Sequence, residues 1–91
     1  MMVDDKDLLG RVVLAKAGRD KGKLFVVVGQ LDQEYVLIAN GTNRSIDKPK
    51  KKKLKHVDIR PNYLDNIREK LLKRQKVLDA EIRKSLENLG I

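Results

Sequence analysis

Apolar positions in this chain follow two different rhythms, and the change falls near Arg60-Pro61. Up to that point they come in short runs separated by glycine and polar turns. Val12, Val13 and Leu14 lie between Gly10 and Gly18, so Arg11 to Ala15 reads as a strand. Lys23 to Val28 reads as a second, with Leu24, Val26 and Val28 on one face and Phe25 and Val27 on the other. A run apolar on both faces suits a strand covered on both sides or curled into a barrel. Tyr35 to Ala39 reads as the third strand. Asn40-Gly41 then signals a tight hairpin, since both central positions of a type I′ turn need positive φ. Short strands are expected at Arg44 to Asp47, around Ile46, and at Lys53 to Val57, with Leu54 pointing inward. Five short strands suggest a small barrel closed on itself, which leaves no free edge.

After Pro61 the period becomes helical. Leu64, Ile67, Leu71, Leu78, Ile82, Leu86 and Leu89 lay one apolar stripe along a helix. Asn62 is the expected N-cap, Asp65 favours the helix dipole, and Gly90 stops the segment. Glu69→Lys73 and Asp79→Arg83 are oriented as favourable i,i+4 pairs. Asp79 also reads as an N-cap. One helix from Leu64 to Leu89 would be about 39 Å long, too long for so small a barrel, so a break near Leu78 is expected. The predicted fold is mainly β: a five-stranded SH3-like barrel over residues 1–60, then one or two helices over 61–91.

Charge sharpens this picture. The net charge is +8, from 21 basic and 13 acidic residues. Residues 1–20 and 21–40 are each neutral, residues 41–60 carry +6 and the last 31 carry +2. A concentrated basic patch is the footprint of a polyanionic partner. Its densest part is Lys48-Pro49-Lys50-Lys51-Lys52-Lys53-Leu54-Lys55-His56, six lysines within eight residues. Mutual repulsion should keep this stretch an extended basic loop, and phosphate binding would release counterions. Lysine is a point charge, so the run should hold backbone phosphates and read little sequence. A solvated loop or a nuclear-import signal are the other readings of the same run.

The segment Gly10-Arg11-Val12-Val13-Leu14-Ala15-Lys16-Ala17-Gly18-Arg19-Asp20-Lys21-Gly22-Lys23-Leu24-Phe25-Val26-Val27-Val28 resembles the KOW motif. The nearer resemblance is to archaeal and eukaryotic large-subunit ribosomal proteins of the "fourteen-e" group and their small bacterial relatives. It covers roughly residues 8–60 and includes the Lys-x-Lys-His-Val ending of the lysine run. It implies an SH3-like barrel that binds RNA, associates with ribosomes in the cytoplasm and contacts ribosomal proteins. On the residues themselves, Gly18 and Gly22 permit backbone turns that let a phosphate approach closely. Arg19, Lys21 and Lys23 then project from one loop; a plain turn with solvated charges is the alternative. Arg11, Lys16 and Arg44 extend the candidate basic face, and His56 is a strand-end residue or an RNA contact.

Other classes find no support. There is no cysteine, hence no disulfide or thiolate metal site. No Walker loop, paired-histidine spacing or nucleophile context is present, so no enzyme, cofactor or small-molecule substrate is expected. Asp4, Asp5 and Asp7 make the beginning acidic, unlike a signal peptide, and no apolar run has the roughly 20 residues of a membrane span. Aromatic residues are 3% of the chain, which argues against recognition mainly by base stacking. A protein-interaction module of the elongation-factor type, using the helical stripe to bind a partner or dimerise, is the competing reading. DNA binding lacks an element shaped for a major groove.

Overall fold

The computed structural model describes residues 8–89. Five strands, β1 (Arg11–Ala15), β2 (Leu24–Gln30), β3 (Tyr35–Ala39), β4 (Lys50–Lys53) and β5 (Val57–Tyr63), precede α1 (Asp65–Leu72) and α2 (Asp79–Glu87). A single 3-10 turn, Leu54–His56, joins β4 to β5. All neighbouring strands are antiparallel, in the order β4-β3-β2-β1-β5.

Both faces of the sheet are buried, as the two-sided apolar run of β2 implies. Val12, Val26 and Ala39 lie on one face with Leu64 just before α1, Ile67 from α1, Val77, and Ile82 and Leu86 from α2. Val13, Ala15, Phe25, Val27, Val36, Ile38 and Val57 form a second cluster, to which neither helix contributes. That face is covered because the sheet curls over it. Register shifts between Arg11 and Val13, and between Val27 and Gly29, provide the bends. The curl stops short of a closed barrel: β4 and β5 remain edges and do not pair. Both edges resist further pairing, β4 through its lysines and β5 through Pro61.

Several sequence expectations change here. Asn40-Gly41 is not a two-residue hairpin. Only Gly41 has positive φ (78°), and the connection continues to Pro49 as a loop. The Asn40 side-chain oxygen accepts the Thr42 and Arg44 N–H groups, so Asn40 organises the loop locally instead of turning it back at once. Arg44 to Asp47 is therefore no strand: the Ile46 N–H goes to the Asp79 carboxylate (2.7 Å), not to a sheet. The lysine run is no extended loop either. Lys50–Lys53 is β4, paired with Tyr35–Ile38, because β3 offers it an edge. The fifth strand begins at Val57, with Leu54 in the 3-10 turn and packed on the second cluster.

At the switch to helix, β5 runs through Arg60-Pro61 to Tyr63, which pairs with Arg11. Asn62 is thus in a strand, and Leu64 takes the N-cap position. The helical segment breaks in two, with Arg74 in the left-handed region (φ 56°) between α1 and α2. The Glu69–Lys73 pair forms (2.7 Å). Asp79 instead accepts the Ile46 N–H and forms no ion pair with Arg83. The stripe is buried at Leu64, Ile67, Ile82 and Leu86, but Val77 replaces Leu78, which is exposed. The apolar stripe is thereby spent on the chain's own sheet. Gly90 and the acidic stretch Asp4–Asp7 lie outside the described residues.

Candidate nucleic-acid interface

The glycine loop between β1 and β2 turns as its residues suggest. Gly18 and Gly22 have φ of 81° and 87°, and Gly22 N–H returns to the Ala15 carbonyl at 2.8 Å. Arg19 and Lys21 stand exposed on this loop. Between them Asp20 turns inward and is only 2% exposed.

Asp20 is the organising residue, and no expectation from the sequence singled it out. Its carboxylate lies 3.3 Å from Lys50 Nζ, 3.5 Å from Arg44 Nε and 3.9 Å from Lys23 Nζ. The Asn43 amide also donates to it (3.1 Å). One carboxylate thus gathers cations from three segments: the glycine loop, the loop after β3, and β4. Burial pushes the Asp20 carboxyl up. The Asn43 and Lys50 hydrogen bonds and the charges of Lys50 and Arg44 outweigh it and hold the pKa below its ordinary value. Three cations against one anion leave a local excess of two positive charges, next to Arg19 and Lys21. The available signal was an acid set between two bases in a glycine loop, Arg19-Asp20-Lys21.

Strand alternation divides the lysine run. Lys50 reaches Asp20, and Lys52, 8% exposed, donates to the Ala17 carbonyl at 3.0 Å. These two brace the glycine loop across the curled sheet. Lys51 and Lys53 point to the other face, where their ammonium groups lie 4.4 and 5.7 Å from the centre of the Tyr35 ring. Lys48, before the strand, is exposed.

The remaining candidates separate. Lys16 N–H donates to the His56 carbonyl (2.8 Å), so exposed Lys16 and Lys55 and half-buried His56 share one end of the sheet. Arg11 belongs elsewhere, at the far end of β1. Its Nε donates to the Arg60 carbonyl (2.5 Å), its Nη1 to the Tyr63 hydroxyl (3.0 Å), and its guanidinium covers the Tyr63 ring. Arg11 therefore holds the β1–β5 seam. Among the described residues no group of three His, Cys, Asp or Glu side chains is placed to hold a metal ion.

No protein-family model matches the chain. Over 83 residues it is 28% identical to the large ribosomal subunit protein eL14 of Hyperthermus butylicus, a match spanning 91% of this chain and 78% of that protein. Since eL14 has a KOW motif, the similarity agrees with the KOW resemblance of Gly10 to Val28. A match of 83 residues omits at most eight of this chain's 91, so it takes in the glycine loop, the loop after β3 and β4 as well. The basic cluster around Asp20 thus falls wholly within the eL14-like region.

Proposed function

We propose that this protein is a non-catalytic, RNA-binding component of the large ribosomal subunit in the cytoplasm, contacting rRNA and neighbouring ribosomal proteins. The strand order and curl suit an SH3-like KOW unit that ends with β5 at Tyr63, with α1 and α2 as a helical extension packed on it. Backbone phosphates of rRNA are held by Arg19, Lys21 and Lys23 from the glycine loop, with Arg44 and Lys48 beside them. Lys16, Lys55 and His56 extend the contact at the neighbouring end.

The observation that carries this reading is the convergence of three segments' cations on buried Asp20. Preorganised cations lose less entropy on meeting a phosphate than lysines on a mobile loop. The similarity to a large-subunit ribosomal protein supports rRNA as the polyanion. Filter binding to large-subunit rRNA across a salt series tests it. Replacing Arg19 and Lys21 with alanine should weaken binding and make the slope of log K against log[salt] shallower by about 1.5. An unchanged slope rules out phosphate contact by this loop.

A further inference from the structure

The helices cover only part of the sheet's outer face. Ala39 lies beneath them, but two residues back along β3 the same face carries Leu37 and then Tyr35, both only part-buried. Here β3 pairs with the edge strand β4, Tyr35 opposite Lys53 and Leu37 opposite Lys51. Side chains alternate across a strand, so Tyr35, Leu37, Lys51 and Lys53 share one side. The two ammonium groups stand against the Tyr35 ring at 4.4 and 5.7 Å. They take no part in the Asp20 cluster and are in no ion pair among the described residues. The only other tyrosine, Tyr63, has its ring covered by the Arg11 and Arg68 guanidinium groups.

We propose that Tyr35, Lys51 and Lys53 form a seat for one unstacked nucleotide of a single-stranded RNA segment. The base stacks on the Tyr35 ring while Lys51 and Lys53 move aside to the flanking phosphates. Three features support this. The ring lies at the start of β3, beside the edge strand β4, and is only part-buried, which gives a splayed-out base access. Its immediate neighbours carry the charge complementary to a phosphodiester. The ring and the cations are already in contact, so the ligand replaces a cation–π interaction with stacking while the cations gain phosphate partners. This seat rests on the RNA-binding reading and adds to it a place where the chain distinguishes single-stranded from duplex RNA. A stacked base pair has no free face to offer, whereas the Asp20 cluster requires only phosphates.

The test is fluorescence anisotropy with three labelled probes: a short adenine-rich RNA strand, the same strand with abasic sugars, and an RNA duplex. Wild type, Y35F and Y35L are compared, with matched thermal melts. Y35L should bind the adenine-rich strand about tenfold more weakly than wild type, Y35F should bind it nearly normally, and both should match wild type on the abasic strand. Equal losses for Y35L on the adenine-rich and abasic strands would overturn the seat. So would no loss on either, or an equal loss for Y35F. If wild type binds the duplex but no single strand, the seat falls and the phosphate reading stands. If wild type binds no probe at all, both fall.

Discussion

Lys50 and Asp20, thirty residues apart in sequence, meet with Nζ 3.3 Å from Oδ2. In the sheet, β3 separates β4 from β2 and the glycine loop that leads into it, and the two side chains meet across that strand at one end of the sheet. The contact therefore does two things. It ties β4 to the glycine loop and sets the cations of the loop in a common place.

Asp20→Asn keeps the shape of the side chain and removes the charge that balances Lys23, Arg44 and Lys50. Because those cations are partly solvated, the expected loss is about 1–3 kcal/mol in urea unfolding, smaller at high salt.

The pH dependence follows from the lowered pKa of Asp20, whose ordinary value is 3.8. A carboxyl held lower in the folded state favours folding at every pH above its unfolded value. That contribution disappears as pH falls below 3.8 and through the folded value. Acid titration monitored by circular dichroism should show wild type losing stability in this window, with a shallower acid limb for Asp20→Asn.

Even- and odd-numbered lysines of β4 should separate in their effects. Replacing Lys50 and Lys52 with alanine removes both braces on the glycine loop and should lower the melting temperature by roughly 4–8 °C for each kcal/mol lost. Replacing Lys51 and Lys53 should leave the melting curve nearly unchanged and weaken binding to single-stranded RNA. Equal effects on stability from the two pairs would contradict the division of the strand.

This division shows what could be read in the residues and what could not. β1 and β3 have the bounds that their apolar runs suggest, because β-branched clusters between turns specify strands locally. The break between α1 and α2 followed from the length of the stripe and from Asp79 as a helix-start residue. Lys50–Lys53 did not read as a strand, because its repulsion is visible in sequence while the β3 edge that orders it is not. Asp20 stayed hidden for the same reason: Arg44 and Lys50 become its neighbours only once the sheet forms. Arg11 looked like a member of the basic face but is occupied by Arg60 and Tyr63.

Gly41 and Gly22 both have positive φ but differ in surroundings. A Cβ on Gly41 would run into the Asp79 carbonyl at the start of α2, whereas one on Gly22 meets nothing within 4 Å. Gly22→Ala should cost about 1–2 kcal/mol, from backbone strain alone. Gly41→Ala should cost more, since the loop after β3 would also have to leave α2. Chemical denaturation of the two variants compares them directly, and a cheaper Gly41→Ala would show that the loop is not seated on α2.

The proposed place of this protein is the large ribosomal subunit. The most direct measurement is sedimentation of the tagged protein from cell lysate through sucrose gradients at low and high salt. Co-migration with the large subunit that survives high salt is the predicted result. Migration at the top of the gradient in both salts would contradict it.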